Sequence, residues 1–110
     1  MKYAIELGTR FKKSFKRLHK KYHSLDREFE AFLASISANP TQGADLGRGI
    51  RKIRMQISDK GKGKSHGARI ITYTTIIDIE EGIITLLAIY DKEEQSTITK
   101  KEIQQLLEEL

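Results

Sequence analysis

The sequence predicts an α+β fold: a small antiparallel sheet with two N-terminal helices packed on one face and a short C-terminal helix. Two observations carry this. Apolar residues recur at helical spacing near the start and again at the very end, whereas the stretch from Ile50 to Tyr90 is dominated by β-branched residues between glycine-rich turns. Helices gathered early and strands gathered late suit an α+β architecture better than alternating β-α-β units. With 110 residues, 38% of them hydrophobic and 32% charged, the chain has enough apolar surface for one modest core. Residues 1–110 are therefore expected to form a single globular domain.

Each element has a local reason. Tyr3, Ile5 and Leu7 alternate with Lys2, Ala4 and Glu6, the period of a half-buried strand. Gly8-Thr9 interrupts it, with Thr9 as the expected N-cap of a first helix. Phe11, Phe15, Leu18 and Tyr22 give that helix one apolar face, and Lys12, Lys13, Lys16, Arg17, Lys20 and Lys21 form the other. Ser24 is placed to cap a second helix buried through Leu25, Phe29, Phe32, Leu33 and Ile36, which Asn39-Pro40 closes. Residues 39–49, NPTQGADLGRG, read as a loop. From Ile50 to Ile57, Ile53, Met55 and Ile57 share one strand face, and Lys52, Arg54 and Gln56 share the other. Ser58 to Gly67 connects this strand to a second hairpin, Arg69–Ile77 and Ile83–Tyr90, apolar enough to lie centrally. Thr99-Lys100-Lys101-Glu102 is a capping box before Ile103, Leu106, Leu107 and Leu110.

Composition excludes several classes. Without cysteine there is neither a disulfide framework nor a thiolate metal site. No apolar run approaches the ~20 residues a bilayer span requires. The start, MKYAIELGTR, lacks the apolar core of a signal peptide, so cytoplasmic residence is the expectation. Net charge is +5 and strongly polarised. Arg10 to His23 holds seven Lys/Arg and no acid, and Arg48 to Arg69 holds eight against the single acid Asp59. The last twenty residues reverse this, with six acids against three lysines. Two basic blocks in one small domain point to a nucleic-acid partner.

Strand alternation sets Lys52 and Arg54 on one sheet face, about 6–7 Å apart. Hairpin pairing brings Arg69 beside them, and Lys92, just past the last strand, reaches the same rim. Cations held on a rigid sheet with no role in packing resemble a phosphate clamp. Lys60, Lys62 and Lys64 add charge at the edge. His66 lies within this basic loop, and histidine is the side chain whose charge changes near neutral pH. It is thus either an acid/base candidate or a solvated loop residue. His19 and His23 have a metal-compatible spacing of four but no third ligand nearby, so neither metal nor cofactor is expected. No Walker loop, dinucleotide fingerprint, zinc-finger pattern or Ser-His-Asp spacing is present.

The segments "FKKSFKRLHKKY", "NPTQGADLGRGIRKIRM", "GKGKSHGARIITY" and "LLAIYDKEEQ" together resemble the RelE/ParE toxin superfamily, most closely its RelE/HigB-like branch. The likeness spans roughly residues 5–106 and rests on G-K-S-x-G-x-R combined with a distal I-Y-x-K-x-E-Q. It implies the toxin of a type II toxin–antitoxin system, held in check by a cognate antitoxin. It further implies a metal-independent endoribonuclease acting on mRNA at the ribosome. By position, Lys52, Arg54, Arg69 and Lys92 match the family's phosphate-binding and charge-stabilising residues. Lys12, Lys16, Lys20, Lys60, Lys62 and Lys64 would then contact RNA. Ile98 and Thr99 stand where some members place a catalytic tyrosine, so that either Tyr90 or Tyr73 substitutes or nothing does. His66 occupies a position usually held by glycine. The alternative class is a ParE-like inhibitor of DNA gyrase, or an inactive binding module.

Overall fold

The alternating segments become a five-stranded sheet in the computed structural model, which describes residues 1–61 and 66–110. In chain order the elements are β1 (Lys2–Leu7), α1 (Thr9–Lys21), α2 (Leu25–Ala38), β2 (Ala44–Gly47) and β3 (Ile50–Met55). A 3-10 turn (Ser58–Lys60), β4 (Ala68–Ile76), β5 (Glu81–Asp91) and α3 (Lys100–Glu108) follow. The sheet order is β1-β5-β4-β3-β2, so the two most apolar strands lie inside it. The α+β class is as expected, but the sheet is mixed. β2 to β5 pair antiparallel, whereas β1 runs parallel to β5 from Lys2↔Glu81 to Leu7↔Leu86.

α1 and α2 cover one face. Phe11, Leu18, Leu25, Phe32 and Ile36 pack there on Ile53, Met55, Ile70, Ile84 and Leu86. Burying each such side chain is worth about 1.5–3 kcal/mol. α3 takes the opposite face, where Ile103 and Leu106 pack on Ile50, Ile71, Leu87, Ala88 and Tyr90. With both faces covered, β4 and β5 read as nearly continuous apolar runs.

Helix starts differ in detail from the sequence reading. Gly8, not Thr9, is the N-cap of α1, and its N–H donates to the Leu86 carbonyl at 2.9 Å. Ser24 is the N-cap of α2, but its hydroxyl donates to Glu28 (2.7 Å) and accepts the Asp59 N–H (3.2 Å) instead of capping. The Thr99/Glu102 capping box forms as read. Strand β2 lies within the segment read as a loop. It is four residues long, fully exposed and flanked by glycines at positive φ, which is why it carries no strand pattern.

Candidate nucleic-acid interface

On the face away from α1 and α2, hairpin register lines up side chains from three strands. Arg54 pairs with Arg69 across β3–β4, and Arg69 with Tyr90 across β4–β5. Lys52 lies two residues before Arg54 on the same face. Lys52, Arg54 and Arg69, but not Tyr90, open onto a cleft of about 470 Å³ lined by Gln42, Gly43, Ala44, Lys52, Ile53, Arg54, Arg69 and Lys92. Among the described residues, four cations and no carboxylate line it. Gly43 is required at its rim: it holds φ +85°, and a Cβ there would lie 2.5 Å from the Lys52 carbonyl oxygen.

Arg69 is the unusual member. Only 5% of it is exposed, and its Nη1 donates to the Ala68 carbonyl at 3.3 Å. Burial, followed by the charge of Arg54, pulls its pKa below the usual arginine value, while Tyr90 opposes this. A guanidinium starts so high that it stays charged. Burial and the neighbouring charge of Arg54 thus act on the same guanidinium. Tyr90 is 5% exposed, with a buried hydroxyl that meets no hydrogen-bond partner among the described residues. Burial raises its pKa, with Arg69 opposing and Glu102 adding, so it remains a neutral phenol. Lys92, half-buried at the far rim, donates from Nζ to the Ser96 carbonyl.

The remaining expected residues fall elsewhere. His66 is exposed and is not among the residues lining the cleft. Lys12, Lys16 and Lys20 stand exposed on α1, and none of them lines the cleft. Lys60, expected as an edge charge contacting RNA, is turned inward. Its side chain is 5% exposed, with Nζ 2.6 Å from Asp91 and 3.4 Å from Glu93. Burial makes a lone ammonium costly, and Asp91 offsets that cost. Lys62 and Lys64 lie outside the described residues. His19 stacks on Phe15 with its Nε2 3.9 Å from Asp26. Among the described residues, no group of three or more His, Cys, Asp or Glu could hold a metal ion. No helix there is long and apolar enough to cross a membrane.

The family described as the RelE toxin of the RelE/RelB toxin–antitoxin system matches residues 10–109. The chain belongs to the RelE toxin family. A solved structure of an arginine double mutant of the E. coli toxin RelE, in the free state, shares the fold with a TM-score of 0.58. It is 13% identical, and the match covers 99% of this chain and 94% of that one. Membership makes the chain a toxin of a toxin–antitoxin pair and implies an antitoxin partner.

Within this RelE-family toxin, two features escaped the sequence reading. The first is the contribution of Gln42, Gly43 and Ala44 to the cleft wall, which depends on the short edge strand β2. The second is Asp91, a 1% exposed carboxylate bonded to Tyr22 and Lys60. Its only sequence signal was an acid ending an otherwise apolar strand.

Proposed function

We propose that this RelE-family toxin is a ribosome-dependent, metal-independent mRNA endoribonuclease of the cytoplasm, acting through the cleft formed by Lys52, Arg54, Arg69 and Lys92. The observation that supports this best is the set of four cations, one of them the buried Arg69, with no carboxylate among the described lining residues. In the proposed reaction the ribose 2′-hydroxyl gives its proton to a base as its oxygen attacks the adjacent phosphorus. The bond to the 5′-oxygen breaks as that oxygen takes up a proton, a 2′,3′-cyclic phosphate is left, and negative charge grows on the non-bridging oxygens in between. Arg69 offers two parallel N–H donors to those oxygens, and its rigid seat means little reorganisation as charge develops. Arg54 adds a second positive charge beside it, while Lys52 and Lys92 hold the neighbouring backbone from opposite rims. Together they supply the charge compensation a metal ion provides in other nucleases.

His66, exposed beside the basic loop, steers the strand or exchanges a proton with it. The α1 lysines Lys12, Lys16 and Lys20 meet ribosomal or messenger phosphates outside the cleft. The antitoxin neutralises the toxin by offering acidic groups to the cleft cations, which repel one another in its absence. Primer-extension mapping of mRNA on translating ribosomes tests the reading. Discrete cuts that appear with the toxin and vanish with its antitoxin are expected. Intact messages together with arrested DNA replication would favour gyrase inhibition instead.

A further inference from the structure

Asp91 lies at the end of β5, beside Lys92, and joins three elements. Its Oδ1 accepts from Lys60 Nζ at 2.6 Å and from the Glu93 N–H at 3.0 Å. Its Oδ2 accepts the Tyr22 hydroxyl at 2.8 Å. Its carbonyl accepts the N–H groups of Glu94 and Gln95, forming the turn that carries Lys92. One residue on, the Lys92 N–H donates to the Gly67 carbonyl at 3.0 Å. Lys60 and Gly67 lie on either side of residues 62–65, so both flanks of the basic loop are tied to Asp91-Lys92. Gly67 permits the second tie, because a Cβ there would run into the Met55 carbonyl.

Building on the ribonuclease reading, we propose that Asp91, with Lys60 and Tyr22, is a positioning clamp that fixes Lys92 at the Arg54/Arg69 cleft. Stability alone is a poor reason for such a triad. A buried ion pair costs about as much in desolvation as it regains, and apolar residues of similar volume often hold a fold at least as well. What the triad adds is direction: a carboxylate with three donors has one orientation, whereas packed methyl groups have several. Burial opposes ionisation of both Asp91 and Lys60, yet their hydrogen bonds and mutual charge hold the carboxyl below its ordinary range and the ammonium above its own. The pair is therefore ionised throughout the neutral range. The clamp touches no reacting atom and acts only through its neighbours.

Asp91→Asn would leave the buried Lys60 with only the more exposed Glu93 carboxylate, 3.4 Å away, as its counter-charge, so an apolar replacement is more informative. The triple variant Tyr22→Phe/Lys60→Met/Asp91→Leu removes all three polar partners while keeping volume. It is compared with the wild type in thermal melting, in steady-state cleavage of ribosome-bound mRNA, and in amide hydrogen exchange at Lys92. A folded triple variant with near wild-type Tm should lose about tenfold to a hundredfold in kcat at similar KM, as expected of a misplaced site. Its Lys92 amide should exchange at least about tenfold faster, while central β4 and β5 amides keep their protection. Wild-type kcat in the folded variant overturns the clamp, whatever the exchange shows. If the wild-type protein cuts no message, the ribonuclease reading falls, and exchange alone decides: unchanged Lys92 protection overturns the clamp and faster exchange sustains its geometry.

Discussion

Arg69 and Lys60 show how differently two cations of one basic block are used. Arg69 pairs with Arg54 and Tyr90 across the strands and opens onto the cleft, whereas Lys60 turns inward to Asp91. The difference predicts distinct pH and mutational behaviour. Burial pushes the Asp91 carboxyl up, but the Lys60 hydrogen bond, the Glu93 N–H, the Tyr22 hydroxyl and the Lys60 charge together bring it below its ordinary range. A lowered folded pKa gives stability that is present above the unfolded value, about 3.9, and is lost as pH falls through the folded one. Lys60 has the opposite sign, its stabilising share being lost as pH rises through a folded value above about 10.4. Asp91→Asn should therefore cost about 3–5 kcal/mol at neutral pH. It should also lose less further stability on acidification than the wild type, as read from urea unfolding between neutral pH and about pH 3. A parallel acid slope in both proteins would contradict the assignment. For His66, exposed and outside the cleft lining, His66→Ala should slow cleavage by about tenfold or less in single-turnover assays. A loss of about a hundredfold or more would make it the acid or base.

Among the elements, α1 is where the proposed function separates binding from chemistry. Its lysines are exposed and away from the cleft, so Lys16→Glu/Lys20→Glu should weaken ribosome association several-fold in a pelleting assay and leave single-turnover cleavage at saturation unchanged. Slower turnover with intact binding would place α1 at the reaction. Elements were legible in the sequence where their signals were local. The period-2 alternation of β3 and the glycine-linked β3–β4 hairpin were enough to bring Lys52, Arg54 and Arg69 together, because register follows from the apolar pattern. The capping box of α3 was equally plain. Strand β2 was not, since four exposed residues among glycines carry no alternation and are paired only because β3 offers an edge. Nor could the parallel pairing of β1 with β5 be read, because a partner chosen after two intervening helices is a matter of tertiary packing. Lys60 misled for the same reason: its partner lies 31 residues on, and only the folded chain shows that the ammonium is covered.

For the molecule as a whole, the fold converts a sequence-wide imbalance of charge into a directed field. The acidic tail is partly spent on the basic half, through Arg10–Glu109 at 2.7 Å and Arg17–Glu94 at 3.0 Å, both largely exposed and so of small energetic weight. The cleft cations have no such carboxylate among the described lining residues, so an anion there meets four positive charges. Ribosome association should accordingly fall steeply with salt, by about tenfold or more between roughly 50 and 200 mM, as several phosphate contacts release counterions. Affinity that is flat over this range would reduce the basic surface to a solubility feature. The central claim, that the Arg54/Arg69 cleft performs RNA cleavage, is tested most directly by Arg69→Ala. The measurement is primer-extension mapping on translating ribosomes, with circular dichroism confirming the fold. The predicted result is a folded protein whose cleavage is reduced by about a hundredfold to a thousandfold, the usual cost of deleting one pre-set donor to a developing oxyanion. A folded Arg69→Ala protein that cuts at the wild-type rate would contradict the claim.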